Sequence, residues 1–315
     1  MMKMVLLGLS ILVGGAGVAA PVAEKEQISI LHDGDEVKKV EVIPFTHEVG
    51  EPFVDLERVG KLSRELSEQL VQEPVNAKIG KSGEILSGEP GFKVYEEKFQ
   101  TKFIQTLYEP SKQSMTVPLM TVHPKVDSEL IAHIRTQQIG QYVTYFNSRN
   151  EERTHNIQLS SDAIDNHVVF PNEVFSFNEV VGKRTKEKGY KPAPVIVKGE
   201  VTEGIGGGIC QVSSTLFNAV DHARIKIVER YSHSKQVPYV PPGRDATVSW
   251  WGPDFTFKNN YNEPVLIRSN VVGGTLRIAI YSANGVDVKP RDIPDASKEL
   301  PDEIHIDNLK DGFME

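Results

Sequence analysis

The chain has 315 residues, 39% hydrophobic and 25% charged, a globular composition with room for about two domains that excludes collagen-like, coiled-coil, polytopic membrane and wholly disordered chains. Thirty-five basic against 43 acidic side chains give a formal net charge of -8, so no general attraction to nucleic acid or anionic lipid is available. From Arg291 to the C-terminus eight carboxylates face three basic residues, and this stretch carries most of the excess.

The N-terminus reads Met1-Met2-Lys3 followed by an uncharged apolar run, Met4 to Ala20. That is the layout of a secretory signal, with Gly17-Val18-Ala19 as a small-x-small cleavage site. The run suits either cleavage or retention as an N-terminal anchor. Export with a single cysteine, Cys210, leaves no internal disulfide, so each domain relies on its core. An unpaired thiol outside the cytoplasm is either a small buried apolar group or is present for its reactivity.

Alternation around Asp33-Gly34-Asp35 predicts a β-hairpin over 27–45. Asp55 then caps an amphipathic helix carrying Leu56, Val59, Leu62, Leu66 and Leu70, ended by Pro74. Short strands are expected at Ala77 to Ile79 and Gly83 to Leu86, a second amphipathic helix at Val94 to Leu107 and an extended run from Met115 to Val122. A third helical stretch, Ser128 to Gly140, links the halves. Beyond it, strands are predicted at Tyr142 to Phe146, Asn156 to Leu159, Val168 to Phe170, Val174 to Phe177, Ala193 to Lys198, Val237 to Val240, Ala246 to Trp250, Phe255 to Asn259, Val265 to Ser269 and Thr275 to Tyr281. The Pro-punctuated acidic tail past Arg291 reads as a mobile extension.

The stretch Gly204-Ile205-Gly206-Gly207-Gly208-Ile209-Cys210-Gln211-Val212-Ser213-Ser214-Thr215-Leu216-Phe217 is the most informative. Ile209, Val212, Leu216, Phe217 and Val220 share one helical face, which places Cys210 in the first turn of a buried helix. Unpaired N–H groups and the helix dipole there lower a thiol pKa, and the glycines let backbone donors approach a substrate. Downstream, Glu229-Arg230-Tyr231-Ser232-His233 and Gly243-Arg244-Asp245-Ala246 supply a base and an orienting carboxylate in the order Cys, His, Asp. The same residues have a second reading: tight glycine packing, a small core cysteine and a loop histidine. Ile209 stands where a dinucleotide fingerprint needs its third glycine, and Cys210-Gln211 where a P-loop needs its lysine and hydroxyl. One cysteine and unpaired histidines predict no metal. Trp250-Trp251 suits a sugar-stacking platform or an edge-strand cover for the core.

Several separate blocks resemble the VanW domain over about residues 143 to 282: His155-Asn156-Ile157, Phe175-Ser176-Phe177-Asn178, Gly189-Tyr190-Lys191, Gly206 through Leu216, Glu229-Arg230-x-x-His233-Ser234 and Gly243-x-Asp245-Ala246-Thr247-Val248, extended by Asp254 and Phe257-Lys258-Asn259. The family's members are mostly exported proteins of Gram-positive bacteria. Upstream, Gly83-Glu84-Ile85 and the following helix resemble a peptidoglycan-binding module. The resemblance implies a cell-wall setting, with peptidoglycan, its stem peptides or wall-synthesis proteins as partners. Nucleic acid is not expected as a partner, nor is any cofactor, and a membrane is met only through the N-terminal segment.

The expected fold is α+β: a signal or anchor over 1–26, an α+β module over 27–126, a linker helix over 127–142, a β-rich VanW domain with one principal buried helix over 143–290, and a tail over 291–315. The expected chemistry is attack by Cys210 on a stem-peptide amide, with His233 as base, Asp245 as orienting group and Gly206, Gly207, Gly208, Gln211, Ser213, Ser214 and Arg230 contacting the ligand. The alternatives are a non-catalytic protein whose glycine turn holds a peptide carboxylate, and an assembly or signalling partner with no wall ligand.

Overall fold

A computed structural model describes residues 26–49, 51–109, 111–197 and 200–300. The apolar N-terminal run and the acidic tail past Leu300 lie outside the described residues. The chain divides into two units, one made of residues up to 75 together with 90–123, the other of 76–89 together with 124 onward.

In the first unit, β1 (Gln27–His32) and β2 (Asp35–Glu41) form the expected hairpin. Asp33 and Gly34 both take positive φ, as a two-residue turn matching the strand twist requires. A short pair follows, β3 (Thr46–Val49) with β4 (Glu51–Val54). Asp55 then accepts from Arg58 N and starts α1 (Leu56–Leu70). The second unit takes the next pair, β5 (Lys78–Ile79) and β6 (Ile85–Leu86), held by Asn166, whose amide oxygen accepts from Ile79 N at 2.8 Å. Back in the first unit come β7 (Gly91–Val94), α2 (Glu96–Tyr108), β8 (Ser114–Thr116) and β9 (Leu119–Val122). Here β8 runs parallel to β1 and β7 pairs with β9. The core of this unit gathers Ile28, Ile30, Val59, Leu66, Phe99 and Phe103, all fully buried.

The second unit continues with α3 (Ser128–Ile134) and β10 (Gln137–Tyr145). The expected helix to Gly140 stops six residues early because residues from Gln137 pair with the strand Thr275–Ser282. Next come α4 (Glu151–Ile164), β11 (Val168–Val169), β12 (Val174–Ser176), α5 (Phe177–Val181), β13 (Pro192–Val197) and β14 (Glu200–Ile205). The chain ends its regular structure with α6 (Ile209–His222), β15 (Lys226–Glu229), β16 (Thr256–Lys258), β17 (Val265–Val272) and β18 (Thr275–Ser282). Four strands form a sheet in the order β10-β18-β17-β11, and β12-β16-β15 form a second. The molecule is therefore mixed α+β, as the sequence predicts.

Two expectations give way here. The segment Asn156 to Leu159 is helical, inside α4, and 237–240 and 246–250 form no strand. In the latter Pro238, Pro241 and Pro242 remove ladder donors, so Val237, Val240 and Ala246 bury their side chains without pairing their backbone into a sheet.

The helix α6 is the buried axis of this unit. Twelve of its fourteen residues are buried, and each of Val212, Leu216 and Val220, at 0% exposure, contributes about 1.5–3 kcal/mol by leaving water. Its polar residues are satisfied internally: the Ser214 hydroxyl donates to Cys210 O at 2.7 Å, Thr215 to Gln211 O at 2.7 Å and the Asn218 amide to Ser214 O at 2.7 Å. Gly140 of β10 lets the helix lie against the sheet, since a Cβ there would stand 2.5 Å from Ala219 O.

The tail departs from expectation in its first residues. Arg291 N donates to His222 O at 2.8 Å, its guanidinium pairs with Asp221 at 2.8 Å, and the Tyr142 hydroxyl donates to Pro294 O at 2.9 Å. Ala296 is buried. Residues 291–296 are thus packed on the second unit.

Candidate active site

The site is built at the start of α6. Gly206 and Gly208 take φ +87° and +106°, a left-handed conformation that suits glycine, and Gly208 as N-cap offers no side chain to the first turn. Ile209 N and Gln211 N donate back to Gly206 O and Gly208 O at 3.3 and 3.0 Å. The Cys210 N–H lies between these two in the first turn of the helix, where the dipole favours negative charge.

Around the Cys210 thiol the structure brings together the groups expected from the sequence. Nδ1 of His233 lies 2.6 Å from Asp245 Oδ2, and the same oxygen accepts from His233 N at 2.6 Å. Both side chains are nearly sealed from water, at 7% and 9% exposure. Cys210 and His233 are also coupled electrostatically, each shifting the other's titration. Thr247 Oγ1 at 3.9 Å and Val248 O at 3.7 Å complete the surroundings of Sγ.

The electrostatics follow from this geometry. Burial alone pushes the Cys210 thiol up, but the hydrogen bond and charge of His233, with help from Val248 and Thr247, outweigh it and hold the thiol below its usual value. Burial likewise works against charge on His233, yet Cys210 and Asp245 together raise its pKa. Asp245 resists its own desolvation through the two bonds to His233 and stays below the ordinary carboxylate range. Each of the three thus favours the charged form of its neighbour.

The residues expected to touch a ligand are placed behind these three. A Cβ on Gly207 would stand 2.6 Å from Ala193 O and Pro194 O, and one on Gly208 3.0 Å from Arg153 and Ile157. These glycines admit β13 and α4. Gln211 is fully buried, accepts from Arg153 at 2.6 Å and donates to Thr144 and Tyr145 O. Ser213 donates to Ala246 O at 2.6 Å and Ser214 accepts from Ala246 N at 2.8 Å. Arg230 donates to Asp245 O at 2.7 Å and lies over the Phe217 ring. Each pins the segment that carries Asp245 or the helix that carries Cys210.

Sequence reasoning missed Asn156, Tyr239 and Arg184. Asn156, fully buried, donates to Lys191 O and Gly207 O and accepts from Lys191 N at 2.8 Å, which fixes the glycine turn. Tyr239 is buried against the site: burial raises its pKa well above normal, and the Cys210 charge adds to the effect. Arg184 donates to Asn178 Oδ1 at 2.7 Å and covers Phe177, while its Nη2 is buried with no hydrogen-bond partner. Burial lowers its pKa, and Tyr190, Cys210 and Asp254 oppose that. Only the buried polar type of Asn156, next to the block His155-Asn156-Ile157, could have signalled any of these in advance. Trp251 stands 86% exposed with the Lys183 ammonium 5.4 Å from its ring centroid, so it is not a core cover. Among the described residues no group of three or more His, Cys, Asp or Glu is placed to hold a metal ion.

A family model described as VanW-like protein matches residues 152–281, a span that contains Cys210, His233 and Asp245. A protein of Bacillus subtilis (strain 168), described as uncharacterized protein YoaR, is 51% identical over 306 residues, 97% of this chain and 99% of that one. Vancomycin B-type resistance protein VanW of Enterococcus faecalis (strain ATCC 700802 / V583) is 30% identical over 115 residues, 35% of this chain and 42% of that one. No solved structure matches the chain.

Proposed function

The chain belongs to the VanW family, and from that premise we propose that it is an exported cell-envelope protein whose second unit cleaves or transfers an amide bond of peptidoglycan stem peptides. The observation that carries this reading is the buried line from Cys210 through His233 to Asp245. The region 27–126, of which residues 76–89 with Gly83-Glu84-Ile85 belong to the second unit, serves as the peptidoglycan-binding module, and the apolar run at 4–20 directs export.

In the reaction the Cys210 thiolate attacks the amide carbonyl carbon, and the carbonyl oxygen gains the electron pair beside the Cys210 N–H. The His233 imidazolium gives its proton to the departing amine as the carbon–nitrogen bond breaks, which leaves a thioester and a neutral imidazole. Water or a second amine then attacks the thioester while His233 takes the proton, and the thiolate leaves. Asp245 keeps the imidazole oriented and stabilises its charged form throughout.

Incubation of the protein with purified muropeptides, read by mass spectrometry, tests the reading. Turnover is expected from the native protein and none from Cys210→Ala with an unchanged unfolding temperature. Turnover retained by that variant would sink the proposal. The non-catalytic alternative predicts instead saturable muropeptide binding that survives Cys210→Ala and is lost when the glycines are substituted.

A further inference from the structure

The outward face of the four-stranded sheet carries a second concave feature. Alternation along β17 and β18 puts Arg268, Asn270, Arg277 and Ala279 on one face. The register sets Arg268 opposite Ala279 and Asn270 opposite Arg277, so two arginines stand at diagonal corners over a floor of small residues. Arg135, the C-cap of α3, and Gly83, between β5 and β6, close the remaining side of a cavity of about 430 Å³.

Each guanidinium is held in place. Arg268 Nε donates to Asp165 at 2.8 Å, Arg277 Nη2 to Gln138 and Gln141 at 3.1 and 3.0 Å, and Arg135 Nη1 to Gly83 O at 2.9 Å. These bonds use a small share of the five N–H donors that each guanidinium carries. No carboxylate lines the cavity, and Asp165 answers only one of the three positive charges. In a chain of formal charge -8, three converging arginines with an excess of two positive charges call for an anion.

We propose that this cavity binds a phosphate ester. A carboxylate presents two oxygens and satisfies one guanidinium, whereas a phosphoryl group offers three oxygens and about two negative charges near neutral pH. The volume exceeds what bare phosphate fills and falls in the range of small-molecule sites, which leaves room for the esterified group. This inference does not depend on the chemistry at Cys210.

Titration calorimetry of the full chain with inorganic phosphate and with sn-glycerol 3-phosphate, at fixed ionic strength, tests it. Saturable binding at one site is expected, weakened at least tenfold in Arg277→Gln and in Arg135→Gln, with the ester bound more tightly than phosphate. Arg135 is exposed at a helix end, so its variant keeps the test available if Arg277→Gln fails to fold. Absence of saturable binding, unchanged affinity in the folded variants, or acetate binding as tightly as phosphate would each overturn the proposal. Displacement of glycerol phosphate by phosphatidylglycerol vesicles would assign the group to a lipid headgroup, and its retention to a soluble ester. Either result upholds phosphoryl recognition.

Discussion

The thiol and imidazole at the start of α6 stabilise each other's charged forms, and pH-dependent measurements can read this directly. The thiol's folded pKa is depressed, so its favourable contribution is complete above the unfolded value of about 8.5 and is lost as pH falls through the folded value. The imidazole's is raised, so its contribution is complete below about 6.5 and is lost as pH rises through the folded value. Alkylation of Cys210 is therefore expected to stay fast well below pH 8.5 in folded protein, and His233→Gln should move the midpoint upward because burial then acts without its counterweight. A slow reaction at every pH, recovered on unfolding, would show a buried inert thiol. In Cys210→Ala the His233 resonance, followed by NMR, should titrate at lower pH than in native protein. The pairing of His233 with Asp245 and the place of Cys210 at a helix start were legible in the sequence, because acid, base and thiol are distinctive residue types and glycines mark where the helix begins. The roles of Gln211, Ser213, Ser214 and Arg230 were not. A polar side chain looks the same in sequence whether it faces a substrate or, like Gln211 between Arg153 and Thr144, satisfies a buried neighbour.

At the scale of elements, periodicity succeeded where burial is apolar and failed where it is polar. The helix α1 shows its stripe of Val59, Leu62 and Leu66, and the strands β17 and β18 show alternation. In α4, by contrast, the buried side includes Asn156, Ser160 and Ser161. Its contacts are made by hydrogen bonds such as Ser161 to Ser269 at 2.6 Å, and no hydrophobic period survives. The sequence there favoured a short strand that the structure does not contain. Replacing Asn156 by alanine removes three hydrogen bonds, one of them fully buried, and takes their partner from Lys191 N and Gly207 O. A loss of about 3 kcal/mol is expected in denaturant titration, against under about 0.5 for the exposed Glu152→Ala. Gly208→Ala should cost about 1–3 kcal/mol from its positive φ, and any larger loss reports the clash with α4.

At the scale of the whole molecule, residues 291–296 are packed on the second unit and belong to it. Burial pushes the Tyr142 hydroxyl up to about 12, with Asp295 adding to the shift and Arg244 opposing it. Truncation after Pro290 should return its ultraviolet titration toward about 10 and lower the unfolding temperature, since Asp221 loses its partner Arg291. An unchanged titration would mean that the tail does not cover this tyrosine. Composition could not reveal this docking, because the acidic excess that suggested mobility begins beside the residues that pack. The segment from Arg230 to Val248, which carries both His233 and Asp245, is held to α6 by side-chain bonds and closed on itself by Thr247 N to Tyr231 O, Arg244 N to Pro241 O and the Arg230 guanidinium to Asp245 O, without joining a sheet. Amide hydrogens across it should exchange with deuterium sooner than those of the helix beneath. On that expectation the thiol, carried on the buried helix, keeps its place through openings that carry His233 away, and the exchange rates report how much of the time the pair is together.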